Sequence, residues 1–195
     1  MFAGYNRWAN QRLYAAAARL TPAALAEDRG AFFGSLLGTL NHLLVTDRLW
    51  LARLEGESPR GTRLDAMPYG DFAALQTARQ AEDERLIGYV AALDEARLAA
   101  PLTYATTSGA AQSQPLHQAL AHLFNHQTHH RGQAHHLLGL VLGREGRRCS
   151  TCWPSSASLP WRRNSFLFRS PGCPRNQLPL ECPSPPLPRK AVPKC

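Results

Sequence analysis

At 195 residues the chain has room for one domain with a substantial core, and two domains are not the expectation. Its formal charge of +8 is uneven: residues 1–148 hold 15 Arg and 13 acidic groups, whereas residues 149–195 hold 7 basic groups against Glu181 alone, so the body contributes +2 and the tail +6. A nearly balanced body excludes the clustered positive face that a nucleic-acid backbone requires, so no nucleic-acid partner is expected.

Helical periodicity dominates residues 1–148, with Pro, Gly and Ser at the breaks where a bundle needs loops, and it predicts an all-α, up-and-down bundle of four helices. The first helix covers 3–20, with Tyr5, Trp8, Leu13 and Ala16 on one side and Thr21-Pro22 opening the connection. Its opening residues are amphipathic, unlike the apolar core of a signal peptide, and no stretch approaches about 18 apolar residues, so neither export nor a membrane partner is expected. The second helix, 31–54, is apolar around most of its circumference and should be buried on several sides. Gly56 to Pro68 reads as a loop. A third helix begins at Asp71, a good N-cap, and runs to Leu98 with Leu75, Leu86, Val90 and Leu93 on its inner side. Leu102 to Gly109 reads as a short β-hairpin or an extended loop. The fourth helix, 115–142, opens with Pro115 in its first turn and stops at Gly143.

Seven of the eight histidines lie on that fourth helix. At about 100° per residue, Ala119, Leu123, His126, His130, Ala134, Leu137 and Val141 share one stripe facing the core. His122, His129 and Gln133 flank it, His136 is further round, and His117 and His135 point to the opposite side. Two histidines four residues apart stand one above the other, so His126 and His130 can reach a single ion. The same spacing also suits two neutral, hydrogen-bonded core histidines. Their place in an apolar stripe favours a metal, because a shared cation offsets the cost of desolvating two imidazoles. A bundle site draws ligands from facing helices, and His42 is the only histidine outside the fourth helix. Periodicity does not decide between a packed core residue and a ligand for His42. Asp47 reads as a solvated helix charge in preference to a group that orients a ligand, and Arg131 as structural.

Tyr5-Asn6-Arg7-Trp8-Ala9-Asn10, Asn41-His42 with Asp47 and Trp50, and above all Asn125-His126-Gln127-Thr128-His129-His130-Arg131-Gly132-Gln133 closely resemble the DinB family, over residues 3–142. The resemblance implies a four-helix bundle whose divalent metal is held by His42, His126 and His130, and a homodimer. Three imidazoles leave a coordination position open for water or substrate, and they suit zinc, nickel or iron(II) alike. The resemblance also implies, for some members, a transferase or isomerase that uses a low-molecular-weight thiol as cofactor toward a small-molecule substrate. The alternative is a non-catalytic metal-binding stress-response protein.

Residues 149–195 hold 10 of the 15 prolines and all five cysteines, with no periodicity, and read as a disordered Pro/Cys-rich tail. The body thus has neither a disulfide nor a thiolate site, which fits a reducing cytoplasm. Cys149 and Cys152 have redox or zinc spacing but lack a second pair, and no role is expected of them. DinB members usually end in a Leu-Asp-Leu and Phe-Leu-Arg segment that is missing here. With GC-rich codons, Cys149 to Ala157 read in another frame gives Leu-Asp-Leu-Leu-Ala-Phe-Leu, so a frameshift is the sharper expectation for the tail.

Overall fold

The computed structural model describes residues 1–57 and 61–147, with side chains described to residue 143. The expectations for the tail at 149–195 lie outside the described residues. Among the described residues there are six helices and one two-stranded antiparallel sheet, so the all-α expectation is corrected to mostly helical with a small hairpin: α1 (Phe2–Ala17), α2 (Pro22–Ala26), α3 (Leu36–Leu54), α4 (Phe72–Ala91), α5 (Glu95–Ala99), β1 (Pro101–Ala105), β2 (Ala111–Pro115) and α6 (Leu116–Arg147). None of these helices is long and apolar enough to cross a membrane.

Local chemistry explains where the elements depart from the expected bounds. α1 stops at Ala17, and Thr21 caps a short α2 that periodicity did not reveal, its side chain accepting from the Ala24 N–H. The second helix begins at Leu36 rather than residue 31. Ser35 accepts from the Gly38 N–H as its cap, and Gly34 takes a positive φ of 70° in the turn bridged from Ala31. Asp71 caps α4 as expected. The third helix does not run unbroken to Leu98: it ends at Ala91, and Asp94 restarts the chain as α5 by accepting from the Arg97 N–H. Such a competing cap interrupts a helix whose apolar spacing carries on across the break. Pro115 closes β2 opposite Pro101 instead of opening the last helix. In α6, Gly143 leaves helical geometry at φ 62°, ψ −141°, where a stop was expected.

α1, α3, α4 and α6 pack on one another, and every residue of α3 except Arg48 is buried. Two apolar clusters lie at their ends. One joins Leu13, Leu36, Leu40, Leu75 and Leu138; the other joins Ala3, Leu51, Leu86, Leu116 and Leu123. Helix directions follow from this. α1 and α6 run from the second cluster to the first, whereas α3 and α4 both run from the first to the second. The up-and-down order is therefore corrected: α3 and α4 are parallel. The segment 55–71 is long enough to return the chain along a helix of about 28 Å. Between the clusters, all four helices contribute buried polar residues, and there α3 and α6 place the histidines of the site.

Candidate metal centre

α3 and α6 bring the three expected histidines together. One ring nitrogen from each of His42, His126 and His130 lies within 4.8 Å of the others, His42 being buried and the other two partly so. His42 Nε2 and His126 Nε2 are 3.2 Å apart. That matches the roughly 3.3 Å separation of two nitrogens bound about 2.0–2.1 Å from one tetrahedral ion. The rings of His126 and His130 are 4.3 Å apart, as four-residue spacing on a helix allows.

Two of the rings are oriented from behind. His42 Nδ1 donates to the Leu64 carbonyl oxygen at 2.7 Å, and His130 Nδ1 donates to Gln133 Oε1 at 2.7 Å. Both acceptors fix the proton on Nδ1 and leave the Nε2 lone pair free, the arrangement that metal-bound histidines share. Gln133 is in turn held by its own Nε2, 3.2 Å from His129 Nε2. Phe33 covers the cluster, stacked on the His42 ring with centroids 3.8 Å apart and edge-on to His130 at 5.5 Å.

The electrostatics keep these imidazoles neutral. Burial, reinforced by the neighbouring imidazoles His130 and His42, pushes His126 down to about 3. Burial also lowers His42 and His130, against the hydrogen bonds they donate to Leu64 and Gln133. Neutral rings with converging lone pairs are what a divalent cation binds, so the donor set fits a metal.

Asp47 is not a solvated charge. It is 1% exposed and pairs with Arg79 Nη1 at 2.7 Å while accepting from the Gln127 side-chain amide. Arg79 also pairs with Asp83 at 3.0 Å, and Asn10 donates to Asp83 at 2.9 Å. Burial raises the Asp47 and Asp83 carboxyls, against the pull of Arg79. For Arg79 burial acts downward, yet the two carboxylates outweigh it and its pKa rises. Arg131 donates to Asn6, Asn10 and Gln127. Among the described residues no hydrogen bond or ion pair joins the side chains of this network to those of the three histidines.

His117 and His135 are not part of the cluster: His117 is exposed and 3.1 Å from the Leu98 carbonyl oxygen. His122 packs on Trp50, with centroids 5.1 Å apart. The sequence reading passed over Phe33, the Leu64 carbonyl, and Gln133 as the partner of His130. Only Gln133 carried a signal, its three-residue step from His130 on a helix face.

A model of the DinB family matches residues 1–153. Neither a curated protein nor a solved structure matches the chain. The three-histidine cluster lies inside the matched span, and the chain belongs to the DinB family.

Proposed function

We propose that His42, His126 and His130 are the ligands of one divalent metal ion, zinc, nickel or iron(II), and that the open position takes a low-molecular-weight thiol in a transferase or isomerase reaction on a small-molecule substrate. The observation that carries this reading is the convergence of three neutral imidazole nitrogens, with Nδ1 of His42 and His130 already engaged. When bound, the ion supplies the Lewis acidity that turns a coordinated thiol into thiolate at neutral pH. The chain supplies the rest. Leu64 and Gln133 hold two rings in place, Phe33 shields one side from water, and burial keeps all three imidazoles unprotonated. With its cysteines confined to residues 149–195, the chain itself puts no thiol among residues 1–148. We further read α1, α3, α4 and α6 as a four-helix bundle spanning 1–148 that works as a cytoplasmic homodimer.

The test is titration of the nickel-loaded protein with bacillithiol, mycothiol and glutathione, followed by absorption spectroscopy. Saturable binding of one thiol with a new thiolate-to-metal band is expected. A spectrum unmoved by all three would instead support the non-catalytic metal-binding stress-response protein.

A further inference from the structure

On the side of α6 away from the histidines lies a cleft of about 240 Å³, walled by Phe2, Tyr5 and Phe124 and floored by Asn6 and Arg131. Thr128, on its rim, stands about 200° round the helix from both His126 and His130, so the cleft is separate from the metal centre. Its walls are apolar: Phe2 stacks on Phe124 with centroids 5.7 Å apart, and Phe2 remains 60% exposed.

Its floor is chemically incomplete. Arg131 is 7% exposed and forms no ion pair among the described residues. Its N–H groups donate only to neutral oxygens, those of Asn6, Asn10, Gln127 and Thr128. The nearby carboxylates, Asp47 and Asp83, are both engaged by Arg79. Buried charges are as a rule directly paired. Asn6 is 1% exposed, and its Nδ2 has no hydrogen-bond partner. A guanidinium can only donate, so Arg131 fixes the Asn6 oxygen toward itself and leaves the amide N–H₂ as an orphan donor. The Asn6 Nδ2 is itself enclosed, so it is the buried Arg131 cation, lining an apolar cleft with no carboxylate against it among the described residues, that calls for an anionic acceptor.

We propose that this cleft binds a small carboxylic acid with an apolar body, its carboxylate received by Arg131 and its body held between Phe2, Tyr5 and Phe124. The volume suits a molecule of benzoate size rather than the larger ligands of sites of about 300–1,000 Å³.

Calorimetric titration of the metal-loaded full-length chain with benzoate, and with benzamide as its neutral isostere, tests this. Benzoate is expected to bind saturably and at least about tenfold more tightly than benzamide. His126→Ala, which removes a ligand of the metal site, should leave benzoate binding intact. Asn125→Trp, at an exposed position on the rim, should abolish it without changing the melting temperature or metal content, and Phe2→Ser should weaken it severalfold. Equal affinity for the two compounds would overturn the proposal, as would no saturation by about 10 mM. So would binding lost in His126→Ala but kept in Asn125→Trp, which would mean ligation to the metal. A dimer that Phe2→Ser dissociates, with no benzoate bound, would assign the face to a second copy of the chain and likewise overturn it.

Discussion

The middle of the helical body holds two buried polar clusters that share helices α3 and α6 yet are built on opposite terms. In the charged network the carboxylates are answered from within: Asp47 and Asp83 take both sides of Arg79, and Gln127 joins Asp47 to Arg131. In the histidine cluster the partners on Nδ1 lie outside, and the inner nitrogens have only one another. Asp47 and Asp83, closed on Arg79, need no ligand to be stable, whereas three facing lone pairs are satisfied only by a shared cation or proton. The difference separates carboxylates satisfied by the chain itself from imidazoles arranged as a metal site would be.

The sharpest way to break this distinction is to remove a ligand. His42→Ala, His126→Ala and His130→Ala should each lower metal affinity by about a hundredfold or more, leaving substoichiometric metal after dialysis, while His117→Ala and His135→Ala keep full occupancy. Full metal in His42→Ala combined with loss in His122→Ala or His129→Ala would place the site on one helix and refute the facing-helix geometry. On the other cluster, Arg79→Leu strands two buried carboxylates and should cost roughly 3–5 kcal/mol in urea unfolding, with metal stoichiometry preserved in the folded fraction. A smaller effect goes through Gln133: Gln133→Ala releases the His130 ring and should weaken metal binding by about 10–100-fold in competition with a chromophoric chelator, with little change in the metal-free melt.

Acid sharpens the comparison further. The folded state holds His126 at about 3 against an ordinary 6.5, so the unfolded chain takes up the proton first. Stability of the metal-free protein should therefore be at its full value above pH 6.5 and fall as pH drops from there toward 3. Thermal melts across that range check the sign, and His126→Ala should flatten the slope. The smallest effect is expected from removing residues 154–195, beyond the family match, which should leave metal content unchanged because every site residue lies at or before position 133.

What could be read from the sequence depended on whether the signal was local. The inward stripe of α6 was legible because 3.6-residue periodicity is a property of one helix, and Ala119, Leu123, Ala134 and Leu137 are all buried as expected. His42 was not legible from periodicity, because α3 is buried all round and has no outer face to contrast with. The resemblance to a family supplied it. Helix direction was hidden for a related reason: apolar spacing in α3 and α4 is the same whether they run parallel or antiparallel, and only the length of segment 55–71 permits the parallel order. Asp47 was misjudged because a lone acid on a helix ordinarily faces water, and its partner Arg79 lies 32 residues away on another helix. Phe33 and the Leu64 carbonyl sit in loops, where no periodicity points at a ligand.

In the proposed site, imidazole nitrogens from two helices are the protein's ligands to the metal. X-ray absorption of the zinc-loaded full-length protein tests it most directly. A first shell of three imidazole nitrogens at about 2.0–2.1 Å completed by oxygen, with the multiple-scattering pattern of histidine, is expected. A sulfur shell near about 2.3 Å would transfer the metal to the cysteines of residues 149–195 and contradict it.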